Sequence, residues 1–179
     1  MKSLRYLAAL PLMAAAAQAL TLDLQFGTGN PSAPVAGGPK ADSTSVVGIG
    51  IGTYVTENSH LGINVSARDI VEKSGAVEPV DASARTAIVE YTYELNSTGA
   101  FKPFIGAGLG YGWLKNTSKS TALATDIFAG IRFELNENVD FTVTARLHQL
   151  HGVDFANVVG ENNRRVNSFE GLAGLRFNF

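Results

Sequence analysis

The sequence contains no cysteine, and this absence excludes several classes of protein at once. Without thiols the chain has no disulfide framework, no thiol nucleophile and no cysteine ligands for a metal ion. Lipid attachment to an N-terminal cysteine, as in lipoproteins, is excluded for the same reason. We also see no histidine and carboxylate spacing typical of a metal site, and we expect neither a metal nor another cofactor.

Long apolar runs and clustered basic residues are also missing. After residue 19 no apolar stretch reaches the roughly 20 residues that a transmembrane helix needs, and no segment has the pattern of an amphipathic helix. The chain has 14 Lys and Arg against 16 Asp and Glu, and these charges are scattered. Nucleic-acid binding requires a clustered basic footprint, so we expect no nucleic-acid partner.

The first residues have the pattern of a secretory signal peptide. Lys2 and Arg5 precede a short apolar run over 7–17, and Ala17-Gln18-Ala19 matches the small-residue cleavage pattern. We therefore predict a signal peptide over 1–19 and one domain over 20–179. Loss of the two cations would change the formal net charge from −2 to −4.

The last segment, 169–179, alternates strictly between two kinds of residue. Counting back from Phe179, every second position is apolar or small, and the positions between them include polar residues such as Arg176 and Glu170. A period of two places the two sets on opposite faces of a β-strand. One face suits hydrocarbon and the other suits a polar interior.

Seven further segments alternate in the same way, and together they predict the fold class. Each is near the roughly 9–11 residues that a tilted strand needs to cross a bilayer, and a sheet in lipid has to close on itself. We therefore predict an all-β protein, an eight-stranded antiparallel up-and-down transmembrane β-barrel. The other seven segments are 20–28, 44–55, 61–68, 85–95, 101–113, 123–135 and 139–148.

Connection lengths and aromatic residues predict the orientation of the barrel. Outer-membrane barrels have short periplasmic turns, longer outer loops and an aromatic girdle at each membrane interface. The short connections are 56–60, 96–100 and 136–138, and the outer ones are 29–43, 69–84, 114–121 and 149–165. The periplasmic girdle would comprise Tyr91, Tyr93, Phe101, Phe133, Phe141, Phe177 and Phe179, and the outer one Phe26, Tyr111, Trp113 and Phe169.

Two segments resemble those of a known family. Pro103-Phe104-Ile105-Gly106-Ala107-Gly108-Leu109-Gly110-Tyr111 is similar to the fifth strand of opacity-protein and OmpA/OmpX-like small barrels, and 171–177 is similar to their last strand. The resemblance implies location in the outer membrane of a Gram-negative bacterium, among its lipids and lipopolysaccharide. It also implies that Phe177 and Phe179 belong to the signal recognised by the barrel assembly machinery.

Alternation places a set of charged residues inside the predicted barrel. They could line a pore, or they could form an ion-pair network that fills the lumen. The second interpretation is favoured because eight strands leave an interior only wide enough for side chains, where buried charges have to be paired. We expect glycines at 48, 50, 52, 106, 108, 110 and 112 to leave room for arginine side chains. The predicted interior charges are Asp23, Arg68, Glu90, Glu94, Lys102, Asp126, Arg132, Glu134, Asp140, Arg146, Glu170 and Arg176.

Two residues near the first periplasmic turn carry separate expectations. His60 follows the turn, and we expect it to be a solvated surface residue. Tyr54 is out of phase with Ile49 and Ile51, so either a bulge lies near Thr53 or the ring faces inward.

One enzymatic alternative rests on a second resemblance. Segments 102–105 and 145–148 are similar to stretches of the outer-membrane lipid A 3-O-deacylases, which have a His-x-Ser pair late in the seventh strand. Here Leu150 stands two residues after His148, so the serine nucleophile is missing. Alternation also turns His148 away from lipid. A substitute set of Ser168, His148 and Glu170 is left open.

We therefore expect a non-enzymatic integral outer-membrane protein with a role in envelope integrity, surface interaction or limited passage of small solutes. An ester hydrolase acting on lipid A is one alternative. An adhesin that binds a host or surface ligand through its outer loops is another, since binding roles often lie on the loops of a rigid scaffold. The loop residues concerned are 30–40, 71–80, Val153, Phe155, Val158 and Val159.

Overall fold

The computed structural model describes residues 20–31, 44–72, 80–95, 99–115, 121–153 and 164–179. The predicted signal peptide and most of the candidate loop residues lie outside these ranges. Eight strands run antiparallel in chain order, and β1 pairs with β8 to close the barrel. None of the described residues forms a helix long and apolar enough to cross a membrane. The strands are β1 (Leu20–Pro31), β2 (Thr44–Thr56), β3 (Ser59–Glu72), β4 (Val80–Glu94), β5 (Phe101–Lys115), β6 (Thr121–Asn136), β7 (Val139–Val153) and β8 (Arg164–Asn178).

The prediction of an all-β, eight-stranded antiparallel barrel is confirmed, but the strands are longer than predicted. The shortest has 12 residues and the longest 16, whereas about 9–11 suffice to cross a bilayer. The extra residues are at the outer end, where β3 continues to Glu72 and β4 already begins at Val80. Beyond the membrane a strand needs no apolar outer face, so the apolar alternation fades there while the hydrogen-bonded ladder continues.

Burial along the strands follows the predicted alternation. In β2 the exposed fractions of Val47, Ile49 and Ile51 are 62%, 51% and 52%, whereas Val46, on the opposite face of the strand, is 2% exposed. Apolar side chains therefore cover the outside of the barrel, where lipid shields them. The outside also carries the predicted periplasmic girdle, in which Phe133 packs against Phe101 and Phe141 at centroid distances of 4.6 and 6.1 Å.

In the described strands, register irregularities mark three strand ends, and one of them lies between Glu134 and Asn136 in the β6–β7 pair. Two others involve Tyr54 and Gly152. One lies between Tyr54 and Thr56 in the β2–β3 pair, and Tyr54 itself faces inward. The inward alternative for this ring is therefore correct, and the irregularity follows it instead of preceding it. The other lies between His151 and Val153, where Gly152 has a φ of 78°. A bulge position with a positive φ favours glycine, because glycine has no Cβ to clash with the backbone.

The inward-facing glycines make room for rings and aliphatic side chains. The nearest side chain is that of Phe128 at Gly106, Ile88 at Gly108 and Leu150 at Gly112. The imidazole of His60 occupies the corresponding space at Gly52. The expectation that arginines use this space was wrong at these positions. Their guanidinium groups instead meet carboxylates elsewhere in the lumen.

Substitution of Gly110 tests how closely neighbouring strands approach. A methyl group here would overlap the backbone of Ala87 and Ile88 on β4, whereas at Gly171 it would have no neighbour within 4 Å. We expect Gly110→Ala to lower the free energy of unfolding by about 1–3 kcal/mol, the usual cost of overpacking. Gly171→Ala, the matched control, should not lower it. Urea unfolding in lipid vesicles measures the free energy of unfolding of both variants. Equal losses of stability in the two variants would contradict the packing argument.

Candidate functional site

The candidate site is the barrel interior, where two ionic networks lie one above the other. We call the lower one the periplasmic network; it comprises Asp23, Tyr54, Glu94, Arg132, Asp140 and Arg176. The upper one, the outer network, comprises Arg68, Glu90, Asp126, Arg146, His148 and Glu170.

The periplasmic network crosses the lumen from β1 and β8 to β4. Arg176 donates two hydrogen bonds to Asp23, at 2.7 and 3.2 Å, and a third of 3.2 Å to the Tyr54 hydroxyl. That hydroxyl donates to Glu94 at 2.9 Å. Glu94 also accepts a hydrogen bond of 2.6 Å from Arg132. The two-bonded arginine–carboxylate geometry is among the strongest available to side chains.

Tyr54 lies between two arginines in this network. The guanidinium carbon atoms of Arg132 and Arg176 lie 5.5 and 6.0 Å from the centroid of its ring. The ring face attracts both cations and separates their like charges. Arg132 additionally lies 3.6 Å from Asp140, which accepts a hydrogen bond from Asn178. The single aromatic ring of Tyr54 thus connects the Arg176–Asp23 pair to the two ion pairs of Arg132.

In the outer network Arg68 and Glu170 form a fully buried ion pair between β3 and β8. Their atoms meet at 2.5 and 3.2 Å, and their side chains are 3% and 0% exposed. The remaining amino group of Arg68 donates to the hydroxyls of Ser66 and Thr86, each at 2.9 Å. Because both charges are paired and further hydrogen-bonded, their burial is tolerated.

Arg146 is the centre of the outer network. It lies 3.0 Å from Glu90 and 3.4 Å from Asp126, and its guanidinium stands 5.3 Å from the centroid of Phe128. The other oxygen of Asp126 contacts Nδ1 of His148. Arg146 and His148 are 2% and 1% exposed. The outer network therefore holds three carboxylates against two arginines and one imidazole.

Between the two networks lies a polar cavity of about 30 Å³, lined in part by Gln25, Asn64, Thr92 and Thr144. That volume holds about two water molecules. Above the outer network, inward side chains of β4 to β8 form an apolar cluster that we call the outer cap. Each member is at most 6% exposed. The cap comprises Ala84, Ile88, Leu114, Ala122, Ala124, Leu150 and Val166.

Most of the predicted interior charges lie in these two networks, but two do not. Lys102 and Glu134 form an ion pair at the periplasmic mouth, where their side chains are 31% and 42% exposed. They line an open cup of about 690 Å³ together with Tyr54 and Phe179. Phe179 is 72% exposed, and its backbone N–H donates to Leu20 at 2.9 Å. Recognition of Phe177 and Phe179 by the assembly machinery stays a prediction.

The expectation for His60 was wrong. Its side chain is 4% exposed, its Nε2 lies 2.8 Å from the Thr21 hydroxyl, and its ring meets that of Tyr54 edge-on. The inward positions of β3 include Gly62 and Asn64, and counting back two residues along the strand leads to His60. The same alternation that located the charges could have located this histidine, but its position next to a turn obscured it.

The open set of Ser168, His148 and Glu170 does not assemble as a triad. Glu170 is occupied by Arg68, and the carboxylate at Nδ1 of His148 is that of Asp126. Ser168 pairs with His148 across β7 and β8, yet within the described structure neither its Oγ nor Nε2 of His148 has a hydrogen-bond partner. Both residues are at most 5% exposed. Among all the residues that the structure describes, no group of three or more His, Cys, Asp or Glu side chains could hold a metal ion.

The Arg68–Glu170 pair allows a direct test of the interior. Arg68→Met should lower the free energy of unfolding by about 3–5 kcal/mol, because it leaves a buried carboxylate without a counterion. The double variant Arg68→Met/Glu170→Leu should regain most of that loss. Lys102→Met, which breaks the exposed pair with Glu134, serves as control and should change stability by at most about 1 kcal/mol. A double variant as unstable as the single one would contradict this account.

Comparisons with known proteins agree with this architecture. Neisserial surface protein A has 16% identity and a TM-score of 0.69, with 90% of this chain and 99% of that one covered. OprG of Pseudomonas aeruginosa has 14% identity and a TM-score of 0.60, with 90% of this chain and 96% of that one covered. The outer-membrane enzyme PagL has 17% identity and a TM-score of 0.57, with 85% of this chain and 97% of that one covered. At these identities the likeness is one of fold. No curated protein sequence is significantly similar. Residues 3–177 match the outer membrane protein beta-barrel domain, and the chain belongs to that family of outer-membrane barrels.

Proposed function

We propose that this protein is a non-enzymatic integral outer-membrane protein whose closed barrel serves as a rigid scaffold for envelope integrity and surface interaction. The observation that carries the proposal is the filling of the lumen. Two ionic networks and the outer cap occupy it, and the cavity between the networks holds only about 30 Å³.

The pairing of charges supports a rigid, closed interior over a pore. A conducting lumen needs charged groups that face mobile water and ions. Here the residues that span the lumen are buried, with Arg146 at 2% and Glu170 at 0% exposure, and each meets a partner on another strand. Moving either group aside would leave an unpaired charge in a low-dielectric interior, which is costly. Passage of small solutes through the lumen is therefore disfavoured.

The surroundings of His148 disfavour ester hydrolysis. A hydrolase acting on lipid A has to present its nucleophile to the membrane, whereas His148 and Ser168 both face the lumen. Leu150, a member of the outer cap, is the next inward residue after His148 on β7 and is 1% exposed. An ester group would therefore have to displace the cap to reach the imidazole.

Conductance in planar lipid bilayers tests the closed lumen. The purified protein, folded into the bilayer, should produce no discrete channel openings, because the buried ion pairs block the path of a hydrated ion. A general porin measured in parallel controls for the sensitivity of the bilayer. Altered mobility of unheated protein in gel electrophoresis verifies folding. Stable openings from the folded protein would refute the proposal.

Mass spectrometry of lipid A tests the absence of hydrolase activity. Overproduction of the protein in the outer membrane should leave the acylation pattern of lipid A unchanged, since no described serine–histidine pair faces lipid. Ser168→Ala, produced at the same level, should give an identical spectrum. Loss of an acyl chain that depends on Ser168 would overturn the non-enzymatic assignment.

A further inference from the structure

The described outward side chains of the strands carry charge of one sign. Among strand residues with described side chains, the charged ones that point outward are Arg85 on β4, Lys115 on β5 and Arg165 on β8, all cationic and all exposed. The carboxylates of the described strand side chains point into the lumen, including those of both ionic networks. All three cations lie in the outer half of their strands.

Two of these cations form a patch with a tryptophan. Arg85 is the direct cross-strand partner of Trp113, and Lys115 is two residues further along β5. On one face of an antiparallel pair, direct partners lie about 5 Å apart and diagonal ones about 7–8 Å. Arg85, Trp113 and Lys115 are therefore neighbours on the outward surface. We call them the β4–β5 patch.

The patch has no counterion within the described part of the chain. No ion pair formed by the described residues includes Arg85 or Lys115. Like charges this close repel each other unless an anion lies between them. The inward positions next to the patch include Ala84 and Leu114 of the apolar outer cap, so these described side chains offer no counterion from the lumen.

The aromatic residues place the patch at the membrane interface. Trp113 is 50% exposed and Tyr111, two residues nearer the membrane centre, is 63% exposed. Tryptophan and tyrosine prefer the level of the lipid headgroups. Anions at that level of the outer leaflet are the phosphate groups of lipid A, and an arginine binds phosphate through paired N–H donors while a lysine adds a point charge.

We propose that Arg85, Trp113 and Lys115 form a binding site for a phosphate group of lipid A on the outside of the barrel. The two cations hold the phosphate oxygens, and the indole lies against the sugar that carries the phosphate. The site is independent of the lumen, so it does not depend on whether the barrel conducts.

Fluorescence can test this site directly, because Trp113 is the only tryptophan of the chain. The full-length folded protein in neutral detergent is titrated with bisphosphorylated lipid A while its tryptophan emission is recorded. The wild type should show a saturable shift in emission. Arg85→Gln/Lys115→Gln should weaken the apparent affinity by about tenfold or more, since two charge-assisted interactions are lost. The circular dichroism of the folded barrel should be unchanged.

Control variants and control lipids distinguish specific binding at this site from a general attraction of the protein to anions. Arg165→Gln removes one cation at the same end of the barrel but on β8, and should change the affinity less than about twofold, whereas Arg85→Gln should weaken it by about fivefold. Dephosphorylated lipid A should bind wild type and double variant equally weakly. The proposal is overturned if Arg165→Gln is as harmful as Arg85→Gln. It is also overturned if dephosphorylated lipid A, phosphatidylglycerol or a sulfated oligosaccharide gives the wild-type response to bisphosphorylated lipid A.

Discussion

A charge inside an eight-stranded barrel has to find its counterion within the lumen, and the rest of this structure depends on that constraint. The interior is too narrow for bulk water, so an unpaired charge would be left in a medium of low dielectric constant. Arg176 therefore meets Asp23 across the β1–β8 closure, and Arg68 meets Glu170 from β3 to β8. These pairs join strands that are distant in sequence and hold the closed barrel at one register.

The two surfaces of the wall use charge in opposite ways. Inside, both signs are present and satisfy each other, with Tyr54 and Phe128 inserted as rings that face arginines. Outside, the described strand side chains are apolar across the membrane and cationic only at the outer end, as at Arg85 and Lys115. The interior charges thus stabilise the barrel, while the exterior ones are available to anionic lipid.

Particular residues show how far alternation alone can be trusted. It placed Arg146, His148 and Glu170 on the inward face, and it offered an inward Tyr54 as one of two alternatives. It was not extended to His60, since a histidine beside a turn was expected to be solvated. The true environment depends on Thr21 and Tyr54 from other strands. The expectation that an arginine side chain occupies the space above Gly106 was wrong, because the cross-strand partner of that glycine is Phe128 and its ring lies there.

The sequence by itself determined the strand periodicity, the inward and outward faces, the number of strands and the membrane they suit. These are local properties, since a period of two is imposed by the backbone of each strand and lipid accepts only apolar side chains. The tertiary structure alone decided which charges meet, because pairing depends on the stagger of the strands and on closure between residues as far apart as Asp23 and Arg176. It also decided that the lumen is filled, since the outer cap gathers apolar side chains from five strands.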